Sequence, residues 1–238
     1  MSISVIEILK ETEDWIAINK AAGLLVHRTK LAAEEKENFA LQLLRDQIGQ
    51  AVYPVHRLDR PTSGVLLFTK KKELLPLFKA EFSERRVEKT YLALVRGVPS
   101  SKEGCFDRAL TNERSGKLQE ARTDYKLVDS VEIPFNTTGR YPTSRYSLLS
   151  IQPFTGRTHQ IRRHLAQARH YIIGDKKHGD NKQNKFFEKQ FDLQNLLLHA
   201  FELRFQDPIT QENMGIHAEI PVHFRTILKE LGFPNQEV

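Results

Sequence analysis

The apolar residues of this chain come in short runs, such as Gly64–Phe68 and Leu196–Leu198, and never in long stretches. Short runs bounded by turn residues are typical of buried strands. They are too short to cross a bilayer, which takes about 20 apolar residues. Helical patterns separate some of the runs, and hairpin-like turns separate others. This irregular alternation predicts an α+β fold with a mixed, largely antiparallel central sheet flanked by helices and loops.

The positions of the elements follow from periodicity and from turn residues. Two strands are predicted within Glu7–Asn19, and five more at Gly64–Thr69, Tyr91–Val95, Ala121–Val128, Arg145–Ile151 and Leu196–Phe205. Helices are predicted at Glu35–Ile48, along Leu74–Phe82, at Thr158–Arg169 and at Val222–Gly232. Residues 100–120 are polar and rich in turn residues, which indicates a hairpin or a loop. We expect one domain over the 238 residues.

Cysteine usage and the N-terminus bear on the compartment. The single cysteine, Cys105, has no partner for an internal disulfide or for a metal site of paired cysteines. The N-terminal residues contain no basic region followed by an apolar stretch, as an export signal would. These features favour a cytoplasmic protein with no membrane partner.

The positive charge of the chain is concentrated in one segment. Overall, 36 lysines and arginines stand against 30 acids, a net charge of +6. Residues 155–185 alone hold eight lysines and arginines, four histidines and two acids. A basic segment of this density favours a polyanionic partner, although a solvated charged surface is the simpler alternative.

Helical geometry assigns different surroundings to two neighbouring arginines of that segment. Ile161 and Leu165 lie on one face of the predicted helix, which must meet the core. Arg162 lies at the margin of that face, where a guanidinium loses water and requires a carboxylate partner. Arg163 lies nearly opposite and can meet solvent or phosphates, as can the later lysines Lys176 and Lys177.

One carboxylate, Asp59, stands among arginines in the stretch VHRLDRPTSG, residues 55–64. Most carboxylates in such surroundings form ordinary surface ion pairs. Ser63 lacks the preceding glycine of a nucleophile elbow. A zinc site is disfavoured, because His159 and His164 lie on different helical faces and no metal-binding spacing is present.

Five segments of the chain resemble the motifs of the RluA-type pseudouridine synthases, in the order in which that family carries them. They are AINKAAGLLVH (17–27), VHRLDRPTSGVLLFTK (55–70), EKTYLALVRG (88–97), TGRTHQIRRHLAQARHYIIGDKKHGD (155–180) and LLLHAFELRFQDPIT (196–210). Ala21 stands where the first motif usually has proline. The resemblance implies a single pseudouridine synthase catalytic domain, without the N-terminal S4-type RNA-binding domain of some members.

The resemblance also implies roles for particular residues. Asp59 matches the aspartate that initiates breakage of the uridine glycosidic bond, by attack on the sugar or by removal of a sugar proton. Arg162 matches the arginine that pairs with this aspartate, and Tyr91 the tyrosine that stacks on the target base. Arg57 matches the arginine that fills the gap left by the extruded nucleotide. Leu198 matches an apolar residue of the uracil pocket. No metal or organic cofactor and no obligate protein partner are implied.

The substrate implied by the resemblance is RNA. Three segments are similar to those of the family members that modify uridine 65 of tRNA: LLRDQIGQ (43–50), TGRYPTSRYSL (138–148) and His178–Asp180. Two alternatives stay open at this point. The chain could modify ribosomal RNA instead, or it could bind and fold RNA without catalysis.

Overall fold

The computed structural model describes residues 5–27, 39–137 and 139–234. The chain folds into two compact units. Unit 1 comprises Met1–Lys89 and Ala200–Glu219, and unit 2 comprises Thr90–His199 and Ile220–Val238. The prediction of a single domain stays a prediction.

The described residues form twelve strands and five α-helices, with a 3-10 turn at Lys72–Leu74. The strands are β1 Glu7–Glu11, β2 Trp15–Lys20, β3 Tyr53–Pro54, β4 Ser63–Thr69, β5 Glu88–Arg96, β6 Glu103–Phe106, β7 Leu110–Thr111, β8 Leu118–Gln119, β9 Thr123–Ile133, β10 Ser144–Pro153, β11 Leu198–Gln206 and β12 Asn213–His217. The helices are α1 Ala40–Ile48, α2 Leu75–Ser83, α3 Gln160–Gln167, α4 Asn181–Phe191 and α5 Val222–Glu230.

Unit 1 is built on the strand order β1-β2-β4-β11, with β3 paired to β4 and β12 paired to β11. The seven residues of β4 are all buried, as expected for an apolar run covered on both faces. Trp15 is fully buried in the apolar core, and its indole N–H donates to Asp207 Oδ2 at 2.6 Å. That bond satisfies the one polar atom of the side chain and fixes its orientation.

Unit 2 is built on the antiparallel order β5-β10-β9-β6. A separate hairpin, β7–β8, occupies part of the segment predicted as a hairpin or a loop. The apolar face of α3 supplies Ile161 and Leu165 to a core cluster that also contains Ala93 and Leu149 from the sheet. The helical face predicted from the sequence therefore meets the core.

All the predicted strands and helices are present, with shifts of a few residues at their ends. The helix predicted at Glu35–Ile48 is observed as α1 from Ala40, and residues 35–38 lie outside the described part of the chain. Strand β6, which pairs with β9, lies in the segment 100–120 that was predicted as a hairpin or a loop. Sequence reasoning missed α4, β3 and β12 altogether. Helix α4 is mostly polar, with Phe186, Phe187 and Phe191 as its apolar residues, and the two strands are short, so none of the three carries a clear apolar period.

None of the helices in the described ranges is long and apolar enough to span a membrane. The observed elements agree with the predicted fold class, α+β with a mixed, mostly antiparallel sheet.

Candidate active site

Asp59 lies half-buried in the turn between β3 and β4 of unit 1. The backbone N–H of Thr62 donates to the Asp59 carbonyl at 3.1 Å, which closes the turn. The chain then enters β4 through Gly64, whose φ is +112°. A Cβ at Gly64 would lie 2.1 Å from the Ala200 carbonyl oxygen of β11. Only glycine fits here, so the start of β4, which follows the turn that carries Asp59, is fixed against β11.

Lys20 ties this turn to the preceding motif. Its side chain is fully buried, and Nζ donates to the carbonyls of Ala21, Leu24 and Arg60 at 2.9, 2.8 and 3.1 Å. Burial lowers the pKa of Lys20 to about 7, and the charge of Asp59 opposes that shift. One amine therefore holds the residue next to the carboxylate. Sequence reasoning missed this role, because a lysine at the end of a strand is usually exposed.

The histidine of the same motif is a structural group. The backbone N–H of Leu67 donates to His56 Nε2 at 3.1 Å, and the imidazole stacks on Phe82 at 4.7 Å between ring centroids. Burial, followed by the charge of Lys89, lowers the pKa of His56 to about 3. His56 is therefore neutral at physiological pH and acts as a hydrogen-bond acceptor. Its neighbour Arg57 is exposed.

Arg162 is buried in unit 2 and forms a bidentate ion pair with Asp175. Nε donates to Oδ2 and Nη2 to Oδ1, both at 2.7 Å, and the two side chains are only 6% and 1% exposed. Burial alone would raise the pKa of Asp175, but hydrogen bonds from Arg162 and from the His178 backbone N–H lower it. The expectation that Arg162 needs a carboxylate is confirmed. Sequence reasoning missed Asp175, since a contact thirteen residues away depends on the fold of the intervening chain.

Tyr91 and Leu198 lie in the same part of unit 2. Leu198 is 3% exposed and belongs to the apolar cluster under α3, and Tyr91 on β5 is partly buried against that cluster. Asp59 and Arg57 lie in unit 1, whereas Arg162 lies in unit 2 with these two residues. The pairing of Asp59 with Arg162 therefore stays a prediction.

The cations predicted to face solvent or phosphates differ in exposure. Lys176 and Lys177 are exposed, and Lys177 Nζ lies 3.1 Å from a carboxylate oxygen of Glu113. Arg163 is only half-buried rather than fully exposed, because its Nη1 donates to the Thr111 carbonyl of the β7–β8 hairpin at 3.0 Å.

Both acids of the basic segment are held by internal contacts. Asp175 pairs with Arg162, whereas Asp180 caps α4 by accepting from two backbone N–H groups and pairs with Arg96 at 2.8 Å. Each of these carboxylates is therefore paired with an arginine that offsets its charge. Several cations of this segment are exposed: Arg169, Lys176, Lys177, Lys182 and Lys185.

These features describe a carboxylate on an anchored turn, a buried guanidinium and a set of exposed cations. The profile of the RNA pseudouridylate synthase family matches residues 14–167, a range that contains Asp59, Tyr91 and Arg162. The chain belongs to this family. As an RNA pseudouridylate synthase it is an isomerase, and the α+β fold predicted from the sequence is the fold of the family.

Curated relatives cover the chain almost end to end. A protein of Vibrio parahaemolyticus named tRNA pseudouridine synthase C is 48% identical over 225 residues, which are 90% of each chain. A protein of the same name from Haemophilus influenzae is 40% identical over 97% of this chain and 100% of its own.

Solved structures confirm the fold. Human RNA Pseudouridylate Synthase Domain Containing 1 superimposes with a TM-score of 0.73 at 23% identity, covering 93% of this chain and 86% of the human one. Human RNA Pseudouridylate Synthase Domain Containing 4 gives a TM-score of 0.71 at 24% identity, over 94% and 92% of the two chains.

Proposed function

We propose that this synthase converts uridine 65 of tRNA to pseudouridine, with Asp59 as the residue that initiates the reaction. The observation that carries the proposal is the anchored turn before β4, in which Lys20 and Gly64 fix the backbone on either side of the half-buried Asp59. The choice of tRNA is supported by the relatives named tRNA pseudouridine synthase C, at 48% and 40% identity.

The reaction exchanges one bond of the ribose for another. The N1–C1′ bond of uridine breaks, the uracil rotates, and C5 bonds to C1′. The proton on C5 then leaves and N1 gains a proton, so that substrate and product contain the same atoms. Attack by Asp59 on the sugar and removal of a sugar proton both require the ionised carboxylate.

Arg162 is the cation that we assign to Asp59. A guanidinium has five N–H donors, and the bidentate contact with Asp175 uses Nε and one N–H of Nη2. One arginine can therefore serve two carboxylates, a buried one that orients it and a catalytic one. On this assignment Asp175 is a positioning residue, since it acts through Arg162.

The remaining site residues would receive a nucleotide extruded from a stem. Taking a paired uridine out of its helix costs roughly a few kcal/mol. Tyr91 stacks on the extruded base, Leu198 lines its pocket, and the exposed Arg57 occupies the gap in the RNA. Lys176 and Lys177, with Arg163, contact phosphates and offset the cost of extrusion.

The Asp59→Asn variant separates catalysis from binding. We expect no pseudouridine on a tRNA transcript, detected by carbodiimide-blocked primer extension, together with nearly unchanged tRNA affinity. Asp46→Asn is the matched control, because Asp46 is also an aspartate beside an arginine but lies in an exposed pair with Arg45 at 2.7 Å. Modification at the normal rate by Asp59→Asn would contradict the catalytic assignment.

The target is tested separately, with unmodified tRNA and large-subunit ribosomal RNA as alternative substrates. We expect a primer-extension stop in tRNA at position 65, and none when a transcript carries cytidine there. A stop found only in ribosomal RNA would exclude the tRNA assignment and leave the family chemistry intact. Binding of both RNAs without any stop would favour a non-catalytic RNA-binding protein.

A further inference from the structure

Two histidines and a glutamate of unit 2 bring potential metal-ligand atoms close together. His159 Nδ1 lies 2.9 Å from His178 Nε2, and the two rings meet at 68° and are not stacked. A carboxylate oxygen of Glu113 completes a group whose three atoms all lie within 4.8 Å of one another. In the described ranges 5–27, 39–137 and 139–234, these residues form the one cluster of histidine, cysteine and acidic side chains with this property.

The spacing of the two nitrogens is close to that of metal ligands. Zinc–nitrogen bonds are about 2.0–2.1 Å long, so two nitrogens on a tetrahedral ion lie about 3.3 Å apart. The observed separation of 2.9 Å is that of a hydrogen bond between the two rings. A bound ion would replace that bond and open the separation by about 0.4 Å. Glu113 is exposed, so its carboxylate can approach by side-chain rotation.

Hydrogen bonds hold the backbone at or beside two of the three ligands, His159 and His178. His159 adopts a left-handed conformation, with φ at +53°, immediately before α3. Next to it, the Gln160 side chain is buried and bonds to Thr155 at 2.5 Å and to the Arg122 carbonyl at 2.9 Å. The backbone N–H of His178 donates to an oxygen of Asp175 at 2.9 Å. An ion at this point would meet two imidazoles whose backbone is already held by hydrogen bonds.

The donor set indicates a class of ion. Two imidazoles and one carboxylate suit zinc, cobalt and nickel, whereas magnesium and calcium prefer oxygen ligands throughout. Three protein ligands leave the fourth position of a tetrahedral ion for water. The partial exposure of the cluster is compatible with that arrangement.

We propose that Glu113, His159 and His178 form a site for a divalent transition ion of the zinc class. The ion would tie the β7–β8 hairpin, which carries Glu113, to the start of α3 and to the turn after Asp175. The sequence disfavoured zinc because the pair considered there was His159 with His164. In the structure His164 contacts Thr123 Oγ1 and the Arg108 carbonyl, and His178 takes its place beside His159.

The Lys177 ammonium competes with a metal ion for the Glu113 carboxylate. Its Nζ lies 3.1 and 3.2 Å from the two carboxylate oxygens of Glu113. A bound ion must displace this ammonium and also tolerate its charge nearby. Removal of Lys177 should therefore strengthen metal binding, whereas removal of any ligand should weaken it.

The test uses the full chain without a histidine tag, treated with EDTA and then dialysed. Co²⁺ binding is followed by its visible absorption, and Zn²⁺ binding by competition with a chromophoric chelator. We expect one ion per chain and no competition from Mg²⁺. His159→Gln, His178→Gln and Glu113→Gln should each weaken Zn²⁺ binding by at least roughly tenfold, because loss of even an outer hydrogen-bond partner of a ligand costs about that much. His217→Gln is the matched control, because His217 lies 3.8 Å from Glu219 in an exposed pair of unit 1.

Lys177→Gln should strengthen Zn²⁺ binding several-fold, whereas the ligand variants weaken it. Loss of folding cannot produce tighter binding. Circular dichroism of each variant shows whether its fold is intact. Absence of stoichiometric binding to the parent chain would overturn the proposal. So would equal weakening in the His217→Gln control, or weaker binding by Lys177→Gln.

Discussion

Replacement of Asp175 by Asn removes the charge from a buried ion pair and keeps the shape of the side chain. Asp175 and Arg162 are 1% and 6% exposed, and two contacts of 2.7 Å join them. The amide of Asn presents one N–H₂ group to the guanidinium, so one of these contacts becomes unfavourable. The guanidinium then stays buried without an opposite charge from this residue.

The expected cost follows from this burial. Breaking a buried ion pair by changing one partner destabilises a protein by about 3–5 kcal/mol. Total stabilities are about 5–15 kcal/mol, so the loss is a large part of the whole. Urea unfolding of the Asp175→Asn variant, followed by far-ultraviolet circular dichroism in EDTA, measures it.

The matched control is Asp124→Asn. Asp124 also meets one arginine through two contacts, at 3.0 and 3.3 Å from Arg122, but the two side chains are 30% and 55% exposed. Exposed pairs contribute about 0–1 kcal/mol, so we expect a change in that range. If Asp175→Asn costs no more than this control, burial does not determine the energy of the pair.

Three further changes test other parts of the site. His56→Gln keeps a hydrogen-bond acceptor for β4 but does not titrate. Since the pKa of His56 falls from 6.5 to about 3 on folding, the unfolded chain binds more protons between these values. Parent stability should therefore decline as pH falls below 6.5, and more steeply than that of the variant; parallel curves would contradict this. Gly64→Ala places a Cβ 2.1 Å from Ala200 O, so we expect at least about 3 kcal/mol of lost stability, and normal urea unfolding would refute the close approach. The double variant Lys176→Gln, Lys182→Gln removes two exposed cations. If each contacts one phosphate, the slope of log tRNA affinity against log salt concentration should become shallower by about 1.4–1.8, at roughly 0.7–0.9 per contact. An unchanged slope would place the RNA elsewhere.

Most of the fold could be predicted from the sequence because the apolar periods of its strands and helices are clear. The period of α3 placed Ile161 and Leu165 toward the core. It also placed Arg162 at the margin of that face, where a guanidinium needs a carboxylate, and the structure confirms both predictions. Local geometry could not identify that carboxylate, because the partner depends on where the chain goes after α3. The role of Lys20 was missed for a similar reason, since its three carbonyl partners come from two separate loops.

Asp175 connects several of these features, so substitutions around it should not be additive. One of its oxygens accepts Arg162 Nη2 and also the backbone N–H groups of Lys177 and His178. The same carboxylate therefore orients the proposed partner of Asp59, a lysine that we propose contacts RNA phosphates, and a ligand of the proposed metal site. Residues that share one partner show interaction energies of about 0.5–3 kcal/mol. The combined effect of changes at Asp175 and His178 on Zn²⁺ affinity should then differ from the sum of the single effects, because loss of the carboxylate already releases the backbone that positions the imidazole.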